Sequence, residues 1–238
     1  VDKGAPLLFS YSGNTGPNRW ADLSPNFTLC SSGKAQSPID IDTGKVVPDE
    51  KLKALIRDYR AVNVTLVDYK FTVGIEYPDG TGSIFVYGKE YKLRQMHFHS
   101  PSEHRIDGKR YAAELHMVHV ADDGELTVVG TLFEYGRPDP VLDQIYGKLY
   151  QLADSGGIRI PIGAFHPPEL RKTPAKYYRY VGSSSVPPCG ENVPYVILGK
   201  VRSVSPEQVA AIKAPLEFTC KDNARPTQPI NGRHVHAY

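Results

Sequence analysis

Short apolar stretches that alternate with polar positions recur along the chain, at Val62–Val67, Phe71–Tyr77, Ser83–Val86, Tyr91–His99, Ala112–Val120, Thr127–Phe133 and Tyr195–Val201. Each is rich in β-branched or aromatic residues and gives way to turn chemistry, as at Pro78-Asp79-Gly80 and Asp107-Gly108, so each predicts a strand. Helical periodicity is scarcer. Asp139-Pro140 reads as an N-cap followed by proline at the first helical position, with Val141, Leu142, Ile145, Leu149 and Leu152 at helical spacing. Ser205-Pro206-Glu207-Gln208 is a capping box that opens a second short helix, and Leu52–Tyr59 is a weaker third. Ala5–Ile41 and Gly156–Ala175 have no dominant period. The pattern implies a mostly β (α+β) chain: one domain over residues 1–238, with a large sheet, a few peripheral short helices and long surface loops.

Composition changes this picture little. The 238 residues, 40% of them hydrophobic, suffice for a sizeable core, and no internal repeat or linker divides them. A net charge of +2 without long runs of like sign argues against a nucleic-acid surface, and no stretch approaches the ~18 apolar residues of a membrane span. Three cysteines, the sequons at Asn26 and Asn63, and a first residue Val1 that suggests a removed leader point together to the secretory route, extracellular or vacuolar.

The chemistry gathers in one place. Five of the eight histidines lie between positions 97 and 119. Side chains alternate between faces in a strand, so Gln95, His97 and His99 share one face, while Met96 and Phe98 take the other. In the next strand Glu114, His116 and Val118 share a face opposite Leu115, Met117 and His119. Antiparallel pairing in a suitable register sets His116 beside His97 and His99. Three imidazoles converging from rigid strands suit a zinc ion with an open fourth position, and Gln95 and Glu114 are placed to accept the second ring N–H groups. A lone His-x-His on a strand is more often a surface or core feature. The third histidine and the polar partners are what favour a metal. His104, His119, His166, His234 and His236 lack that geometry, and His119 reads as a buried, hydrogen-bonded histidine.

Gln95-Met96-His97-Phe98-His99-Ser100-Pro101-Ser102-Glu103-His104, followed by Ala113–His119, resembles the zinc core of the α-carbonic anhydrases. The resemblance continues through Gly16-Pro17 before Trp20, Gln36–Ile39, Tyr177–Gly182, Pro187-Pro188-Cys189 and Asn223–Pro226. The short Ser-Pro-Ser-Glu-His form is similar to plant and bacterial members, among them the dioscorins, carbonic anhydrase-like storage proteins of yam tubers, some of which act as lectins. The resemblance implies a mainly antiparallel twisted sheet and reversible hydration of CO2 to bicarbonate. It makes His97, His99 and His116 the ligands of Zn2+, which lowers the pKa of bound water to roughly 7. Glu103 matches the carboxylate that accepts the hydroxyl proton of the gating residue, here Ser185, where the family usually has threonine. Asn223 falls behind the ligands. The CO2 wall falls at Val118, Leu126, Val128, Ser184, Val186 and Tyr195, with Ser184 in place of a larger apolar residue. Phe71 occupies the proton-shuttle position, where the family carries histidine, and phenylalanine cannot carry a proton. Tyr11 matches a residue of the family's solvent network, and Tyr69 adds a hydroxyl nearby. The resemblance also pairs Cys30 with Cys189 in a disulfide closing about 160 residues, worth several kcal/mol by the loop-entropy model, and leaves Cys220 free. Two functions are thereby implied: an attenuated CO2 hydratase, or a storage protein or carbohydrate-binding lectin that no longer depends on catalysis.

Overall fold

The computed structural model describes residues 7–55, 57–156, 158–166 and 176–238. Two short strands, β1 (Asp40–Ile41) and β2 (Val47–Pro48), precede β3 (Arg57–Tyr59), β4 (Val62–Asp68), β5 (Val73–Glu76), β6 (Gly82–Val86) and β7 (Lys89–His99). The hairpin of β8 (Arg105–Ile106) and β9 (Lys109–Arg110) leads to β10 (Ala113–Val120) and β11 (Leu126–Tyr135). Next come β12 (Arg159–Phe165), β13 (Tyr177–Ser183), β14 (Glu191–Leu198), β15 (Arg202–Val204) and β16 (His236–Ala237). The main sheet runs β12-β4-β5-β7-β10-β11-β14-β13-β16-β2, with β6 on β7, β3 on β6 and β15 on β11. Its pairs are antiparallel except β11–β14, β11–β15 and β16–β2.

Strand alternation divides the interior in two. Met96, Phe98, Leu115 and Met117 face a core closed by Leu149, Leu152, Val209 and Ile212, whereas Val128, Leu132, Tyr180, Tyr195 and Ile197 pack on the other face. The closing helices form where the caps predict. In α1 (Pro140–Asp143) the Asp139 carboxylate accepts from the amides of Val141 and Leu142, and α2 (Tyr146–Ser155) follows after a break at Gln144-Ile145. α3 (Pro206–Lys213) carries the complete Ser205–Gln208 capping box. No helix among the described residues is long and apolar enough to cross a membrane.

Three expectations need correction. Residues 52–55 and 57–59 are not helical, and residue 56 lies outside the described residues. Leu52 and Leu55 reach the core from a loop, and Arg57–Tyr59 pairs with β6, so two apolar residues three apart mimicked a helical face. Within Gly156–Ala175, residues 159–165 form an edge strand on β4 whose register shifts between Pro161 and Gly163, hiding the alternation. Residues 167–175 of that stretch, like residues 5 and 6 of the N-terminal one, lie outside the described residues. Tyr177–Ser183, matched only as a family segment, is a central strand.

Candidate metal centre and its pocket

The β7–β10 register sets His116 directly opposite His97 and Glu114 opposite His99. The three imidazoles meet with ring centroids 4.8–5.2 Å apart. Their potential ligand atoms lie within 4.8 Å of one another.

Each ring is held by its other nitrogen. His97 Nδ1 donates to Gln95 Oε1 at 2.9 Å, and His99 Nδ1 donates to the Asn223 carbonyl at 2.6 Å. His116 Nε2 donates to Glu114 Oε1 at 2.7 Å. These bonds leave Nε2 of His97, Nε2 of His99 and Nδ1 of His116 aimed at a common point. His99 Nε2 is buried without a hydrogen-bond partner, as is Oε2 of Glu103, which lies 3.5 Å from it and 3.9 Å from His116 Nδ1. Buried polar atoms seldom go unsatisfied. A cation held by the three rings would satisfy the His99 nitrogen, and the free Glu103 oxygen adds negative charge beside it. Burial and the neighbouring imidazoles hold His97 well below the usual histidine range, and burial lowers His99 as well, so both present the neutral form a metal requires.

Glu114 is the anchor of this cluster. Fully buried, it also accepts at Oε2 from the backbone amides of Glu103 (2.9 Å) and His104 (2.8 Å), and at Oε1 from His104 Nδ1 (2.7 Å). Burial pushes its carboxyl up, but His104 and His116 overcome that and hold it well below the usual range. Burial likewise pushes His116 down, and Glu114 more than restores it. Gly130, opposite His116 on β11, leaves the necessary space, since a Cβ there would stand 3.1 Å from Glu114 Oε1 and 2.6 Å from Ile197. His104 takes no place among the three converging rings, but it supports them: besides its bond to Glu114, its Nε2 accepts from the Tyr180 hydroxyl at 2.7 Å, so it bridges Glu114 to the second core. The signal was its place in the Ser-Pro-Ser-Glu-His run.

Around the histidines lies a cavity of about 290 Å³. Phe71, Tyr69, Val118, Leu126, Val128, Val186, Ser184, Ser185 and Tyr195 all line it. The Phe71 ring packs tilted against Phe9, with ring centroids 5.1 Å apart. Tyr11 is half-buried, but its hydroxyl is fully buried and unpartnered, and burial, then the nearby Glu103, raises its pKa well above the usual value. Glu103 Oε1 accepts from the Arg225 amide at 3.0 Å, while the Ser185 hydroxyl sits next to the Tyr195 phenol. Asn223 accepts at Oδ1 from the Ser100 amide and donates from Nδ2 to the carbonyls of Phe71 and Phe98.

Cys30 and Cys189 form a disulfide, and Cys220 is free and buried. Arg225, missed as a support, is only 2% exposed. Its guanidinium binds Gln36 Oε1 and the carbonyls of Ser37 and Cys30, fastening the disulfide segment behind Glu103. Asn26 and Asn63 are both exposed, as a glycan acceptor must be.

The family model for eukaryotic-type carbonic anhydrases matches residues 15–238. The chain belongs to that family. This carbonic anhydrase homologue is 39% identical over 232 residues to alpha carbonic anhydrase 7 of Arabidopsis thaliana, covering 97% of the chain and 84% of the relative. It is 38% identical to dioscorin dioA3 of Dioscorea japonica, covering 95% and 84%. Among solved structures, dioscorin complexed with ascorbate superposes with a TM-score of 0.94 at 37% identity, with 97% of each chain covered. The alpha-carbonic anhydrase of Thermovibrio ammonificans, complexed with the inhibitor sulfanilamide, gives 0.87 at 35% identity, covering 98% of this carbonic anhydrase homologue and 100% of that chain.

Proposed function

We propose that this chain hydrates CO2 reversibly at a zinc ion held by His97, His99 and His116. One observation carries the reading: three ring nitrogens free of other bonds converge while a separate acceptor fixes the opposite nitrogen of each ring. Zinc bound there supplies a Lewis acid that makes water acidic near neutral pH.

The chain's own residues do the rest. Gln95, Asn223 and Glu114 select the tautomers and hold the rings rigid, so little reorganisation remains when the ion binds. Val118, Leu126, Val128 and Val186 give nonpolar CO2 an apolar wall and limit the water beside it. Glu103 keeps one carboxylate oxygen free toward the site, and the Ser185 hydroxyl, which lines the same pocket, engages the Tyr195 phenol instead of that oxygen, so the pair that the resemblance implies is not formed here. Ser184 donates to the Val186 carbonyl at 2.9 Å, which spends its polarity on its own loop and leaves the pocket wider than a larger apolar residue would.

A second reading, storage or lectin function without dependence on catalysis, is favoured by Phe71, which leaves the shuttle position without a titratable atom. We also propose passage through the secretory route, which the buried disulfide supports. The test is metal analysis with an arylsulfonamide titration. The hydratase reading expects one zinc per chain and saturable inhibitor binding that disappears on chelation. Failure to take up zinc contradicts it.

A further inference from the structure

Hydration of CO2 releases one proton for each bicarbonate formed, and that proton must leave a pocket whose shuttle position is phenylalanine. The hydrogen bonds of the pocket's polar side chains show where it can go. Thr72 Oγ1 donates to the Phe98 carbonyl (2.6 Å), Tyr195 to the Ser183 carbonyl (3.0 Å), and Ser184 to the Val186 carbonyl (2.9 Å). Gln95 accepts from a ligand histidine, and Ser185 sits against Tyr195 within the wall. All of these lead inward. Tyr69 is different: it lines the cavity and donates from its hydroxyl to Glu76 Oε1 at 3.0 Å, and the Glu76 side chain is 34% exposed to solvent.

The placement is held from three sides. Glu76 pairs across the strands with Gln95, two residues along from the Gly74–His97 pair and so on the same face. A Cβ on Gly74 would come 2.9 Å from Tyr69 Cε2 and 3.2 Å from the His97 Cβ, so the bare glycine lets the phenol lie down against the ligand strand. Arg159 on the edge strand binds both Glu76 oxygens, through Nη1 to Oε1 at 3.1 Å and through Nη2 to Oε2.

We infer that Tyr69 and Glu76 form the proton exit of this pocket, an inference that rests on the hydratase reading. A pocket water gives its proton to the Tyr69 oxygen as the phenol's own proton passes to Glu76 Oε1. Solvent then takes the proton from Glu76, and the hydroxyl rotates back. The phenol stays neutral, and the proton count balances at one per CO2. Its hydroxyl has the lone pairs to accept from water while donating to the carboxylate. The Arg159 contact holds the Glu76 carboxyl below the usual range, so it accepts a proton uphill, at a factor of about ten for each pKa unit. Exit is therefore slower than through an imidazole.

The test uses the zinc-loaded full chain and three variants: Tyr69→Phe, Glu76→Gln and Arg159→Gln. In weak buffer the first two are expected to lower kcat about tenfold, with kcat/KM, zinc content and arylsulfonamide affinity unchanged, and added imidazole to restore the rate. Arg159→Gln keeps the carboxylate and makes it more basic, so kcat rises, whereas a merely structural clamp would make it fall alongside Glu76→Gln. A crystal structure of the zinc-loaded protein should show an ordered water on the pocket side of the Tyr69 oxygen, lost in Tyr69→Phe. Unchanged kcat in Glu76→Gln, or a matching fall in kcat/KM and inhibitor affinity in all three variants, overturns the relay alone. Absence of zinc-dependent kcat/KM in the natural chain overturns the hydratase reading and the relay with it.

Discussion

His116 donates from Nε2 to Glu114 Oε1 across 2.7 Å, and this single bond decides which nitrogen of the ring faces the metal position. In His97 and His99 the anchored nitrogen is Nδ1, whereas in His116 it is Nε2, because the carboxylate approaches the third ring from its far end.

Removing that anchor should loosen the metal while leaving all three ligands in place. Glu114→Gln retains an acceptor but loses the charge, and it weakens the bonds to His104 and two backbone amides at once. Zinc affinity, measured by competition with a chromophoric chelator, is expected to fall about 10–100-fold. Unchanged affinity would mean that the tautomer of His116 is fixed elsewhere.

Phe71→His should add a second proton route. The expected result is a higher kcat with nearly constant kcat/KM, since the latter reports steps through CO2 conversion. The benefit of added imidazole buffer should shrink in the variant. No change in kcat and no buffer response in either protein would show that proton export does not limit turnover.

His119 faces the opposite core, where its Nε2 and the Tyr59 hydroxyl share a hydrogen bond of 2.7 Å. Burial lowers its pKa from 6.5 to about 3. Between those values the unfolded chain binds more protons than the folded one, so this residue's contribution to stability declines as pH falls from 6.5 toward 3. The slope is up to about 1.4 kcal/mol per pH unit. Denaturant unfolding from pH 4 to 7 should show a shallower slope, by close to one proton, for His119→Gln. An identical slope would place the titration elsewhere.

The Cys30–Cys189 bridge ties the N-terminal segment to the loop that carries Ser184 and Ser185. Gln36 Nε2 also donates to the Cys189 carbonyl at 3.0 Å, so the bridge and a hydrogen bond act on one loop. Replacing both cysteines by serine is expected to cost about 2–5 kcal/mol of stability and to weaken arylsulfonamide binding through the loosened loop. Stability equal to that of the natural chain would show that the loop is held by its other contacts.

The ligand face was legible in the sequence because strand alternation is rigid: once His97, His99 and His116 fall on strands, their side follows from parity. Gln95 and Glu114 were legible for the same reason. His104 and Arg225 were not, because their partners are distant in the chain. Tyr180 is 76 residues from His104, and Gln36 is 189 from Arg225. No local period encodes such contacts. The edge strand at 159–165 escaped because Pro161 and Gly163 interrupt its register, and the Tyr69–Glu76–Arg159 chain was hidden with it.

The most direct measurement is stopped-flow CO2 hydration by the chain as purified, after chelation and after zinc is restored, with His116→Ala as the control. The account predicts a substantial kcat/KM that vanishes on chelation, returns with zinc, is blocked by an arylsulfonamide and is absent from His116→Ala. A zinc-replete chain with no hydration above the buffer rate would contradict it.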